Sequence, residues 1–172
     1  MALFGRRRER PPASVLALLT GDERVVSWAD TADGQVVVAT QYGLWWPGTD
    51  GPRLIRWQNV DKAVWRDDVL MVTEGDVVDN TLLVDREPVL VKLAVPRDLP
   101  PEVRKRVEAN IVERELASVP GGAVRFVARR EPGHDGVIWL AHLEHGTPDT
   151  SQTRSAIAAR LEILRARSLH AE

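Results

Sequence analysis

The chain has 172 residues, 44% hydrophobic and 28% charged, with a formal net charge of −2 and no cysteine. That size and balance fit one globular domain with a real core, and exclude a chain that is disordered through most of its length. They also exclude disulfides and thiol nucleophiles, and so small a net charge gives no whole-molecule attraction to nucleic acid or membrane.

The charge is uneven along the chain. Arg6, Arg7, Arg8 and Arg10 make the start basic, while Asp67, Asp68, Glu74, Asp76, Asp79, Asp85 and Glu87 make the middle acidic. Electrostatic recognition is therefore expected to be local. Positive charge is almost all arginine, the lysines being Lys62, Lys92 and Lys105, and with abundant Val and Ala this resembles the coding bias of a high-GC bacterial genome. No apolar run approaches a membrane span and residues 15–19 are too short for a signal-peptide core, so a cytoplasmic protein is expected.

Residues 1–12 hold Gly5, the arginines and the Pro11-Pro12 pair, which resists helix and sheet, so they read as a mobile basic arm. The alternative is weak peripheral contact of Leu3 and Phe4 with an anionic membrane. Residues 14–19 predict a helical turn capped by Ser14 and stopped at Gly21. From Arg24 the pattern is β. Residues 24–29 and 35–40 are predicted strands around Asp30-Thr31-Ala32-Asp33-Gly34, and Gln41-Tyr42-Gly43 predicts a tight turn in which Gly43 takes a positive φ. The chain returns through Leu44, Trp45 and Trp46, and residues 53–58 alternate with Ile55 and Trp57 on one face. Shorter strands are expected at 63–65 and 69–73, with Asp67-Asp68 and Glu74 with Asp76 as turns. Residues 81–84 and 89–95 are expected to form a hairpin around Asp85-Arg86-Glu87-Pro88.

At Pro96 the period changes. Asp98 caps a predicted helix with Pro100 and Pro101 in its first turn and Val103, Val107, Ile111, Val112 and Leu116 as its stripe, ending at Pro120-Gly121-Gly122. Residues 123–129 and 137–143 follow as a hairpin around Pro132-Gly133-His134-Asp135-Gly136. A last helix over 150–169 carries Ile157, Leu161 and Leu164 on a narrow stripe, which packs on its own sheet or on a second copy as a homo-oligomer. The organisation is an arm and helical turn over 1–20, a β-meander with its closing helix over 21–119, and a hairpin and helix over 120–172 packed on the same domain.

About seven short antiparallel strands closed by an amphipathic helix resemble the pleckstrin-homology-like (PH-like) barrel in its bacterial forms. The likeness rests on Glu23-Arg24-Val25-Val26, on the run from Val36 through Thr40-Gln41-Tyr42-Gly43 to Leu44, and on Ile55-Arg56-Trp57-Gln58-Asn59-Val60 before Val69-Leu70-Met71-Val72. It covers residues 22–119. It implies an α+β fold, an antiparallel PH-like β-barrel or meander closed by an amphipathic helix with an extra C-terminal β-hairpin and helix, and a binding role. Two departures matter. Lipid-binding relatives place cations in the first strand–strand loop, where this chain has Asp30 and Asp33, so phosphoinositide recognition is not expected. No tryptophan lies in the predicted closing helix.

Tests for chemistry give little. His142-Leu143-Glu144-His145 is the only dense group of metal-ligand types, but on a strand His142 and Glu144 share one face and His145 the other, so a strand end is the expected reading. His134-Asp135 reads as a hairpin tip with no nucleophile beside it, and the acidic pairs lack the spacing of a calcium loop. No nucleotide-binding, zinc-protease or serine-hydrolase motif occurs. Acidic neighbours around the tryptophans disfavour nucleic acid. No catalytic residue, cofactor or metal is assigned.

The expectation is a non-catalytic PH-like module that binds a protein partner. The alternative is a small-molecule or peptide binder with a tryptophan-lined pocket, and the third reading is an enzyme of unrecognised class. Trp45, Trp46, Arg53, Trp57 and Trp65 form the candidate interaction surface. Trp45 and Trp46 are adjacent on a strand and must face opposite sides, so one of them leaves the interior.

Overall fold

A computed structural model describes residues 10–133 and 135–169; most of the basic arm, and His134, lie outside them. The elements are helix α1 (Ala13–Leu16), strands β1 (Val25–Thr31), β2 (Val36–Thr40), β3 (Gly43–Trp46) and β4 (Arg53–Arg56), and a single 3₁₀ turn (Trp57–Asn59). Then come β5 (Val60–Arg66), β6 (Val69–Val78), β7 (Leu82–Asp85), β8 (Val89–Val95), helix α2 (Leu99–Asn110), β9 (Ile111–Val119), β10 (Gly122–Arg129), β11 (Ile138–Leu143) and helix α3 (Ser151–Leu169). The protein is α+β. Its eleven described strands form one mostly antiparallel sheet in the order β4-β3-β2-β1-β8-β6-β7-β11-β10-β9, with β5 branching from β6. Consecutive strands β4 and β5 do not pair, so the sheet stays open there.

The spine is β6. Its ten residues exceed the predicted strand because Glu74 and Asp76, expected in a turn, lie inside the strand. The first half pairs with β5 across Asp67-Asp68, both at positive φ, and the second half turns into β7 through Asp79 and Asn80, also both at positive φ. Two consecutive left-handed residues make the hairpin turn whose twist matches the strands, and Asp and Asn tolerate that region best among residues other than glycine. The expected hairpin between residues 81–84 and 89–95 does not form: β7 and β8 both pair with β6 instead. From Gly75 to Val72 is three residues along β6, and from Asp85 to Val89 is four on the other side. So β7 and β8 are one partner line broken by a single extra residue between Asp85 and Val89, a stretch that includes Pro88, which has no N–H to give to a ladder.

The predicted helix through Leu116 is likewise only half helix. It ends at Asn110, whose side chain donates to the Arg130 carbonyl while the Arg130 N–H donates back to the Asn110 carbonyl at 2.9 Å. Beyond it Ile111–Val119 pairs along β10. β-Branched Ile111 and Val112 favour strand over helix, and Glu115, Ala117 and Val119 alternate inward while Leu116 stays exposed. Glu113 and Glu115 meet Arg167 and Arg160 of α3, partners that no local pattern reveals.

Three apolar clusters result. The largest joins Ala29, Val37, Leu44, Ile55, Trp57, Leu70, Val72 and Leu93 to Leu99 and Val103 of α2. A second packs Leu82, Val124, Phe126 and Trp139 under Ile157, Leu161 and Leu164. The narrow stripe of α3 thus lies on its own sheet, and Thr150 caps the helix by accepting the Thr153 N–H at 3.1 Å. The third cluster seats Val15 of α1 against Trp28 and Val38 on the outer side of β1–β2.

Gly43 corrects another expectation. Its φ is not positive; it sits inside β3, where a Cβ would lie 2.2 Å from the Ile55 carbonyl oxygen and 2.9 Å from the Arg56 Cα. Both obstacles are backbone, so no side chain can swing away. Gly43→Ala is expected to cost roughly 2 kcal/mol or more through forced separation of β3 and β4. The shift of the urea midpoint measures it, and an unchanged midpoint would refute this packing.

Candidate functional site

The tryptophans divide rather than form one surface. Trp46 and Trp57 are buried in the main core, and the Trp57 Nε1–H donates to the Thr40 carbonyl at 2.9 Å. Trp45 is the outward member of its pair. It is half-buried against the α1 cluster, and its Nε1–H donates to Glu23 Oε1 at 3.0 Å. Neither the C-terminal hairpin nor α3 covers it; the N-terminal turn does. Arg53 pairs with Glu74 at 2.7 Å. Trp65, at 38% exposure, is the tryptophan that faces solvent most.

Trp65 marks a groove of about 630 Å³ between β5 and α2. Ala63, Trp65 and Leu70 line one wall; Pro100, Val103 and Val107 line the other. Local sequence explains both walls. On β5 the inward residues are Ala63, small enough to leave space, and Trp65, too large to be covered. On α2 the two prolines sit in the first turn, where their missing N–H groups cost no helical bond. Arg104 pairs with Glu108 at 2.8 Å on the rim.

The strand itself is the more telling part. Among the described residues β5 pairs with β6 alone, so its other edge carries no strand. The two-residue turn at Asp67-Asp68 makes Arg66 and Val69 a hydrogen-bonded pair. Alternation along an antiparallel ladder then turns the N–H and C=O groups of Ala63 and Trp65 away from β6, towards the open side. A strand edge of this kind is a template for another strand.

The start of β5 is fixed from the second half of the molecule. Arg129, on β10 and 2% exposed, donates Nη1–H to the Val60 carbonyl at 2.5 Å and Nη2–H to Asp61 Oδ1 at 2.7 Å. Asp61 lies where the β5–β6 register slips by one residue, and such a bulge re-aims a side chain. Burial pushes the Arg129 guanidinium below its usual pKa and the Asp61 carboxylate opposes the shift; an arginine so paired stays protonated at physiological pH.

The His142 group lands at the same junction. His142 and Glu144 both face Arg125, whose Nη2 lies 3.4 Å from His142 Nδ1 and whose Nε lies 3.3 Å from Glu144. The other imidazole nitrogen of His142 lies 3.3 Å from Asp85 of β7. Asp61, Asp85 and His142 place one ligand atom each within 4.8 Å of one another. Sequence spacing missed this set because its members come from three strands. Asp30, expected in the first strand–strand loop, lies within β1 and pairs with Arg97 at 2.7 Å, while in the loop itself hydrogen bonding from Thr31 holds the Asp33 carboxyl below its usual pKa.

No family model, no curated protein and no solved structure matches the chain.

Proposed function

We propose that this chain is a non-catalytic interaction module of PH-like type that holds an extended segment of a protein partner along the open edge of β5. The observation that carries the reading is an unpaired strand edge flanking an apolar groove under α2. Main-chain bonds to Ala63 and Trp65 supply sequence-independent affinity, and an apolar side chain of the segment, seated among Trp65, Pro100 and Val107, supplies selectivity. The PH-like part of the reading draws support from the β1–β4 meander, the second layer of β5, β6 and β8, and the helix that packs on both. Asp33 in the loop between β1 and β2, where lipid-binding relatives place cations, argues for a protein rather than a phosphoinositide ligand.

Selection of peptides from a displayed random library tests this. The expected winners are extended, carry one bulky apolar residue and bind in the micromolar range. Trp65→Ala should weaken them roughly tenfold, the transfer value of one large apolar contact. Ala63→Pro removes an edge N–H without touching the β6 ladder and should weaken them at least as much. Ligands indifferent to both changes would refute the groove. Small apolar molecules binding there in place of peptides would favour the pocket alternative.

A further inference from the structure

We propose that Asp61, Asp85 and His142 form a three-ligand site for a divalent transition cation of the zinc class, at the end of β5 where Asp61 also borders the groove. Two carboxylates and one imidazole are the donor set of a borderline metal. Magnesium and calcium prefer all-oxygen shells with more ligands. The spacing fits: ligands about 2.0–2.1 Å from a tetrahedral zinc lie about 3.3–3.4 Å apart, and His142 Nε2 is 3.3 Å from Asp85 Oδ2. Asp61 completes the triangle, its ligand atom within 4.8 Å of the other two.

The surroundings suit a dication. Asp61 keeps one oxygen on Arg129 and has the second to offer. With His142 neutral, Asp61, Asp85 and Glu144 face Arg129 and Arg125, so the cluster holds one net negative charge before the metal enters. Asp85 is exposed, which gives the ion a path in. Binding at Nε2 makes Nδ1 of His142 a donor, so Arg125 must leave it and settle on Glu144. The site also has a mechanical consequence. β7 and β11 are joined in parallel at one residue pair, Leu82 with Ala141, and a cation held by Asp85 and His142 fastens that seam from the side.

Titration of the full chain with zinc, followed by calorimetry and thermal melting, tests the assignment, with cobalt as a coloured substitute that reports coordination number. The expected result is one ion per chain, a four-coordinate cobalt spectrum and a rise in melting temperature. Asp85→Asn and His142→Gln change side chains at the site edge and should each weaken binding roughly tenfold or more. His145→Ala, a histidine outside the triangle, should leave it unchanged. Circular dichroism on each variant confirms an intact fold. Absence of binding at submillimolar zinc, or binding that survives both Asp85→Asn and His142→Gln, would overturn the site.

Discussion

Arg129→Ala is expected to cost about 3–5 kcal/mol of folding stability, the range for removing one partner of a buried ion pair. Three losses combine. Asp61 keeps its charge in a largely buried place without its cation, the Val60 carbonyl loses its donor, and a void opens between β10 and β5. A cost of this size is a large share of the stability of any single domain. Arg129→Met should cost less by restoring the volume, and Arg129→Met with Asp61→Asn less again, because no unpaired charge remains. Chemical denaturation of the three variants gives the order. If the double variant is no better than Arg129→Met, the pair is not what holds β10 to β5.

Trp57→Ala carries the second large effect, about 3–5 kcal/mol. The ring is 2% exposed within the main core, beside Leu44 and Ile55, and its N–H satisfies the Thr40 carbonyl at the end of β2. Truncation therefore leaves both a cavity and an unpaired acceptor. Trp57→Phe fills most of the cavity and should lose roughly 1–2 kcal/mol, the part due to the hydrogen bond and residual space. Trp65→Ala, at an exposed ring, should change stability by far less. Equal urea midpoints for the alanine variants of Trp57 and Trp65 would contradict the division of the tryptophans into core and groove.

The contrast between those two residues shows how far the sequence could be read. Alternation along residues 53–56 is enough to place Ile55 inside, because a half-buried strand writes its period into its residues, whereas Trp57 is buried from the 3₁₀ turn that ends the strand two residues before the expected 58. The stripe Ile157, Leu161 and Leu164 was legible for the same reason at helical period. The failures came where two periods agree or where partners are distant. Val103, Val107 and Ile111 fit a helix, and only pairing with β10 makes Ile111 the start of a strand. The proline-bearing segment after Asp85 carries the stronger local turn signal, yet the hairpin turns at Asp79-Asn80, and β7 and β8 each pair with β6. Gly43 was read as necessary, but for its φ; the cause is a carbonyl on another strand, which no local pattern encodes. The groove was invisible for a related reason. Trp65 was in view from the start, while the open edge of β5 exists only because β4 ends without reaching it. The Asp61, Asp85 and His142 cluster needs three strands from both halves of the chain.

Amide hydrogen exchange of β5, free and bound to a selected extended peptide, tests the central claim most directly. Ala63 and Trp65 point their N–H groups to the open side, whereas those of Lys62, Val64 and Arg66 point to β6. In the free protein the two outward amides should exchange fast beside slow neighbours. With peptide bound they should become protected while the β5–β6 amides change little. Slow exchange of Ala63 and Trp65 in the free protein, or a bound state that leaves them fast and protects another surface, would contradict an edge that receives a partner strand.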